Sequence, residues 1–215
     1  MIVVTSEKAG GAFRRVFREV VVAPVLELQP EPIDRLAVAK AVEESDLAVF
    51  GSGCSAYRLR EEGVWLDLRN KRVATAEGDK GAVMIQNVFG VKPQLVYHSA
   101  EELAAAVSSC VAATVFHHGE RAEALVESCR VYEFFTYRAV PRRDVLTSLP
   151  PGGIYVFFSG LAAAAVAEVK LDVLKNAVVV AAGPAVALEK YGIKAHVSPG
   201  GRIIDVIIQN NFASS

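Results

Sequence analysis

Two serine-glycine pairs stand where an anion is most easily held. Ser52-Gly53 follows the apolar run Val49-Phe50-Gly51, and Ser159-Gly160 follows Val156-Phe157-Phe158. A serine hydroxyl donates to an anion, and a glycine lets the anion approach the backbone. A helix beginning at that point adds unpaired N–H groups and a partial positive charge. Each pair alone fits an ordinary helix cap equally well, and it is their recurrence at equivalent places that points to a carboxylate or phosphate ligand. The same logic selects Thr5, which ends the first apolar run, and Gly78 with Lys80. It also selects Gly119, Glu120 and Arg121 after His117-His118, and Gly183-Pro184.

Other chemistries find little support. His117 and His118 are adjacent on an expected strand, so their side chains point to opposite faces, and no third ligand lies near in sequence. No metal site is expected. Cys54 follows Gly-Ser-Gly, but no histidine or acid is tied to it by a motif, so it reads as a small buried thiol. Cys54, Cys110 and Cys129 are odd in number, widely spaced and never paired as CxxC, which reads as a reduced chain without zinc. Neither GxxxxGK[ST] nor GxGxxG occurs, so nucleotide binding is not indicated.

The elements that must position these residues follow a βα pattern: β-branched runs, then Gly/Ser/Thr turns, then Ala/Leu/Glu-rich segments of helical spacing. Strands are expected at 2–5, 20–26, 47–50, 72–76, 94–97, 113–117, 129–137, 154–158, 177–181 and 195–197. That number is too many for one typical sheet, so two sheets are expected. The clearest helix signals are the capping box at Ser99-Ala100-Glu101-Glu102 and the apolar stripes Phe13, Val16, Phe17, Val20, then Ala122, Leu125, Val126, Cys129, and Ile203, Ile204, Ile207, Ile208.

Gln29-Pro30-Glu31-Pro32 and Val140-Pro141-Arg142-Arg143 read as crossings between lobes. The fold class is therefore α/β, with two similar lobes, each a parallel sheet flanked by helices, joined by a two-stranded linker. Residues 1–30 with 143–215 form a discontinuous lobe and 33–138 the other, with linkers near 29–33 and 138–143. An internal repeat agrees with this. Phe50-Gly51-Ser52-Gly53 recurs as Phe157-Phe158-Ser159-Gly160, and Gly78 to Ala82 recurs as Gly183 to Ala187, at nearly equal offsets.

With 23 basic and 24 acidic residues the net charge is −1, which argues against a nucleic-acid partner and leaves any anion to be held by local geometry. Mean hydropathy is +0.31, yet the longest apolar stretch, Ala177 to Leu188, is broken by Gly183-Pro184 and falls short of the roughly 18 residues of a membrane span. Met1-Ile2-Val3-Val4-Thr5 has no basic n-region, so it reads as a strand and not a signal peptide. A cytoplasmic monomer with a small-molecule substrate and no membrane association is expected.

In order along the chain, Thr5, Pro24-Val25-Leu26-Glu27, Val49-Phe50-Gly51-Ser52, Gly78-x-x-Gly81-Ala82, Ser99 to Leu103, Phe116 to Arg121, Tyr137, Phe157-Phe158-Ser159 and Gly183-Pro184 resemble the uroporphyrinogen-III synthase family. The resemblance implies two α/β lobes with the active site in the cleft between them. It implies as substrate hydroxymethylbilane, a linear tetrapyrrole polycarboxylate, closed with inversion of ring D and loss of water and without a cofactor. Tyr137 matches the family's tyrosine and is implied as the catalytic donor. Thr5, Ser52, Gly53, Gly78, Lys80, Gly119, Glu120, Arg121, Ser159, Gly160, Gly183 and Pro184 are implied as substrate-binding. Departures accompany the match. Gly51 and Phe158 stand where the family usually has threonine before serine, and Gly81 and Val186 replace the threonine of Gly-x-x-Thr-Ala. The alternative is a two-lobed, non-catalytic small-molecule-binding protein, or an inactive relative of the family.

Overall fold

A computed structural model describes residues 1–107, 110–126, 130–181, 186–198, 202–210 and 212. The chain begins β1 (Ile2–Val4), α1 (Glu7–Val16), β2 (Val20–Val22), β3 (Leu26–Pro30), α2 (Arg35–Glu44), β4 (Leu47–Phe50) and α3 (Gly53–Glu61). It continues β5 (Arg72–Thr75), α4 (Gly78–Phe89), β6 (Leu95–Val96), α5 (Ala100–Ala106), β7 (Ala112–Gly119), a 3₁₀ turn (Glu123–Val126) and β8 (Arg130–Pro141). Last come α6 (Arg143–Thr147), β9 (Ile154–Phe157), α7 (Gly160–Lys175), β10 (Val178–Ala181), α8 (Val186–Glu189), β11 (Ala195–Val197) and α9 (Ile203–Gln209).

Two compact units result, Met1–Glu27 with Val140–Ser215, and Leu28–Ala139. The chain passes from one to the other inside β3 and β8, which are neighbours in one sheet. The first unit holds a five-stranded sheet in the order β11-β10-β9-β1-β2, and the other sheet runs β3-β8-β7-β4-β5-β6. The pairings β1/β2, β1/β9, β9/β10, β10/β11, β4/β5, β4/β7, β5/β6 and β7/β8 are all parallel. The two orders are the same layout. In each, β9 or β4 lies centrally, its next two strands extend to one side, and the pair β1/β2 or β7/β8 extends to the other. The sequence repeat falls on matching strands, β4 with β9 and β5 with β10.

Packing explains the strand signals. β1, β4 and β9 are buried along their whole length, as parallel strands covered on both faces must be. In the first unit Val3, Tyr155 and Val179 face a core with α7, while Ile2, Val4, Val156 and Val180 face α1 and α9 through Phe13, Ile203 and Ile207. In the second, Ala48, Phe50 and Val73 pack against α2, α3 and α4, and Leu47, Val49, Ala74, Ala113 and Val115 against α5.

Several expectations change in the folded chain. The single strand expected at 20–26 is two, β2 and β3, because the chain leaves the first sheet after Val22. Val20 is on β2 rather than on the helix of Phe13, since α1 ends at Val16. The helix expected from Ala122 to Cys129 is only the 3₁₀ turn within the described residues. The Ala122 N–H donates to His117 Nδ1 and Arg121 is clamped to Glu133, so the segment is tied back to β7 and β8. The capping box is asymmetric. Ser99 accepts from the Glu102 N–H, but Glu102 accepts from the His98 N–H, one residue before the cap. Cys110 is disulfide-bonded and Cys54 is a thiol outside any disulfide, half-buried rather than buried, so the chain is not wholly reduced. Spacing alone does not reveal which cysteines a fold brings together. Cys129, Gly183 and Pro184 lie outside the described residues. Among the described residues no helix is long and apolar enough to cross a membrane.

Candidate functional site

In parallel sheets ligands lie beyond the carboxyl ends of the strands, at the point where the strand order reverses. In the second unit that point is between β4 and β7. Ser52 caps α3 there, accepting from the Cys54 N–H at 3.2 Å. The anion seat it forms with Gly53 is filled by the protein's own carboxylate. Glu77 Oε2 accepts from the Ser52 hydroxyl and the Gly53 N–H, both at 2.8 Å, and Oε1 from Lys80 Nζ at 2.9 Å. Burial raises the Glu77 pKa, but the hydrogen bonds from Lys80, Ser52 and the Gly53 N–H outweigh it and hold the carboxyl below its ordinary 4.5. Two glycines make the approach possible. A Cβ on Gly53 would stand 2.6 Å from Met84 Cβ, and one on Gly81 would stand 2.6 Å from Thr75 Oγ1 and 2.9 Å from Glu77 Cβ. Gly81, standing where the family's threonine is absent, thus gives its space to Glu77. Gly78 enters α4 at φ +65, with its N–H donating to the Tyr97 carbonyl at 2.8 Å.

Tyr137 lies on β8, its ring edge-on to His118 at 4.9 Å and 73°. Cys54, Arg58 and Glu61, spaced i, i+4 and i+7 on α3, are the titratable groups that influence it. Burial first, then the Glu61 carboxylate, raises the phenol above its ordinary 10, against the opposing Arg58 charge. The phenol is therefore protonated at neutral pH, and its hydroxyl has no hydrogen-bond partner among the described residues. Arg58 was not singled out from sequence. Its side chain is 14% exposed, its Nη1 pairs with Glu62 at 2.5 Å, and its Nε is buried without a partner among the described residues. The helical spacing from Cys54 was the available signal.

The His117–Arg121 segment is a closed network rather than an open cradle. Arg121 grips Glu133 in bidentate fashion at 2.8 and 2.9 Å and also pairs with Glu123, and these partners raise its pKa. His117, 1% exposed, accepts the Ala122 N–H at Nδ1, so Nε2 carries the proton and donates to Glu133 at 3.0 Å. Burial lowers its pKa below 6.5 despite Glu133, and it is a neutral, positioned core histidine. Gly119, at φ +86, ends β7 with Leu28 and Ala139 close by, and Glu120 bridges back to His118. Two further arginines are likewise paired, Arg138 with Glu31 and Arg142 with Asp144.

In the first unit the order reverses between β1 and β9. The Thr5 hydroxyl is buried and donates to the Val156 carbonyl at 2.7 Å, which ties the two strands together. Ser159 caps α7, accepting from the Ala162 N–H at 3.1 Å, and Gly160 is the first, exposed residue of that helix. Beside them Phe158, 40% exposed, opens onto a cavity of about 180 Å³ shared with Ala9, Ala12, Phe13, Arg202 and Asp205.

With each half's geometry established, comparison with solved structures is decisive for the architecture. Uroporphyrinogen III synthase of the extremely thermophilic bacterium Thermus thermophilus, in a mutant form, matches 99% of this chain and 98% of its own at 17% identity and TM-score 0.69. The chain has the uroporphyrinogen III synthase fold. Two further structures of the Thermus thermophilus enzyme agree. One matches 100% of this chain and 99% of its own at 18% identity and TM-score 0.53. The other, wild type, matches 98% and 96% at 18% identity and TM-score 0.55. No family model and no curated protein matches the sequence. In this uroporphyrinogen III synthase fold, Ser52, Gly53, Gly78 and Lys80 converge around Glu77, and Arg121 and Glu120 belong with His117. Tyr137 stands on β8 with its ring against His118, and Ser159 and Gly160 belong to the first unit.

Proposed function

We propose that this chain is a uroporphyrinogen III synthase, a cyclising hydro-lyase that closes hydroxymethylbilane with inversion of ring D and loss of water. What supports the reading is the likeness to that enzyme's fold over nearly the whole chain, joined to a protonated phenol at Tyr137 whose hydroxyl has no partner among the described residues.

Tyr137 donates its proton to the departing hydroxyl of the bilane, which leaves as water. The β8 backbone fixes the phenol in register, and the His118 ring packs edge-on against it. A positioned acid of this kind contributes typically 10²- to 10⁴-fold. Most of the remaining work is orientation, worth several kcal/mol when a flexible chain is held with its reacting ends together. The amide groups at the start of α7, beside Ser159 and Gly160, anchor substrate carboxylates. The protein acts in this reading as a monomer and without nucleic acid.

One observation favours a second reading, an inactive relative or a non-catalytic binding protein. The Ser52-Gly53 seat, an anion donor set in the first reading, is filled by Glu77. Both readings meet one test. Hydroxymethylbilane closing without a catalyst gives the symmetrical type I isomer, so the protein should divert the product to type III. Product that remains type I at stoichiometric protein, with the bilane bound, overturns the synthase reading in favour of the binding protein.

A further inference from the structure

β7 and β8 pair in parallel, and their register breaks at one point, between His117 and His118. Phe116 lies opposite Phe134 and His117 opposite Phe135, but His118 lies opposite Tyr137, so Thr136 is an extra residue on β8 with no opposite number on β7. Side chains alternate between the faces of a strand, and a one-residue bulge therefore moves the side chains after it to the other face. Phe116 stacks on Phe134 at 6.0 Å on the face that packs against α3, and His117 stacks on Phe135 at 4.9 Å on the opposite face. In an unbroken register Tyr137, two residues after Phe135, would stand on the His117 side. The bulge brings it to the other side, where its ring meets His118 at 4.9 Å.

A buried polar chain holds the bulge. Thr136 is fully buried, and its hydroxyl donates at 2.8 Å to the His117 carbonyl, beside the register break. That hydroxyl has one proton to give, so the Ser55 hydroxyl 3.0 Å away donates to Thr136 Oγ1. Ser55 is also fully buried and belongs to α3. Buried hydroxyls cost free energy unless they are paired, and these two are paired through the bulge. We propose that Thr136, anchored by Ser55, is a positioning residue that aims the Tyr137 phenol. The role rests on the synthase reading above, in which the phenol gives its proton to the departing hydroxyl. Thr136 acts through Tyr137 and has no part in the proton transfer itself. Misplacing a reacting group by about 1 Å costs about 10²-fold in rate, and a reversal of face displaces the phenol further.

Thr136→Val keeps the shape of the side chain and removes both hydrogen bonds, whereas Thr136→Ser keeps both. The full chain is compared in two assays, the nuclear Overhauser contact between the Tyr137 and His118 rings and the rate of type III product from hydroxymethylbilane. In Thr136→Val the ring contact should be lost and kcat should fall about 10²-fold, with KM within about three-fold of the parent. Thr136→Ser should restore the contact and bring kcat back to within about three-fold of the parent. Because Thr136 acts through the phenol, adding Thr136→Val to Tyr137→Phe should cause no further loss, whereas a general structural defect would add to it. Ser55→Ala leaves Thr136 its bond to the His117 carbonyl and removes the anchor on α3. It should cost about five-fold in kcat, and it carries the same comparison with Tyr137→Phe where Thr136→Val does not fold. Equal ring contact and equal kcat in Thr136→Val and Thr136→Ser overturn the proposal, as does a loss that adds in full to that of Tyr137→Phe. The ring contact is read without substrate. A chain that shows the Thr136 effect on it but forms no type III product loses only the synthase reading, and one that forms the product while Thr136→Val matches Thr136→Ser loses only this inference.

Discussion

Replacing Glu77 with alanine removes the carboxylate that accepts from the Ser52 hydroxyl and the Gly53 N–H at 2.8 Å and from Lys80 at 2.9 Å. Hydrogen bonds to an ionised group contribute about 1.5–3 kcal/mol, and a carboxylate at a helix N-terminus about 0.3–1 kcal/mol more. The Lys80 side chain is 65% exposed and adds little, and water rehydrates part of the seat once the carboxylate is gone. A net loss of about 2–3 kcal/mol follows, which for a unit of this size lowers Tm by about 10 °C. The effect carries a pH signature. Because the folded pKa of Glu77 lies below its ordinary 4.5, its stabilisation is present above that value and is lost as pH falls through the folded pKa. Differential scanning calorimetry of parent and Glu77→Ala should show a wide gap at pH 7 that narrows below about pH 4.5. Inorganic phosphate should raise the Tm of the variant more than that of the parent, since the vacated α3 N-terminus then accepts an external anion. A variant melting within about 2 °C of the parent at pH 7, or a gap that does not change with pH, would refute the view that α3 is capped by an internal anion.

Tyr137→Phe should lower kcat by up to 10²- to 10⁴-fold with Tm unchanged, because the ring that meets His118 is kept; full activity shows that the hydroxyl is dispensable. His117 should titrate below the ordinary 6.5 in a histidine NMR titration, since burial holds its pKa down. The stability it provides as a neutral acceptor for the Ala122 N–H is therefore complete above 6.5 and declines as pH falls through the folded pKa, and a His117 that titrates at or above 6.5 contradicts the assigned tautomer. Gly53→Ala places a methyl 2.6 Å from Met84 Cβ and 3.1 Å from Gly81 Cα, so α3 and α4 must part, at a cost of about 1–3 kcal/mol; an unchanged urea midpoint would show slack in that contact.

The synthase reading and the Glu77 seat pull on the same residues from opposite sides. Substrate carboxylates reach the Ser52 and Gly53 donors only by displacing Glu77. Carboxylate binding in that reading therefore falls more heavily on the first unit, where Arg202 lines the Phe158 cavity.

Features that depend on neighbours along the chain were legible in the residues alone. The β-branched runs became strands, among them Leu47–Phe50 and Ala195–Val197 at the expected residues, because burial on both faces of a parallel sheet demands continuous apolar side chains. Ser52, Ser99 and Ser159 became helix caps because a serine before an apolar-periodic run satisfies the backbone locally. Two sheets and the α/β class followed from the alternation of such runs. What fills the Ser52 cap was another matter. Glu77 is 25 residues from Ser52 and reaches it only because two glycines let α3 and α4 touch. Arg121 looked like a free cation until β7 and β8 set Glu133 beside it. Phe158 gained its cavity from α1 and α9, elements at opposite ends of the chain. Periodicity records that a side chain is covered, not by what, and strand order in a parallel sheet is settled by long-range crossings that leave no local trace. The carboxylate in the Ser52 seat, the clamp on Arg121 and the wall around Phe158 are for that reason properties of the folded chain and of no local stretch of it.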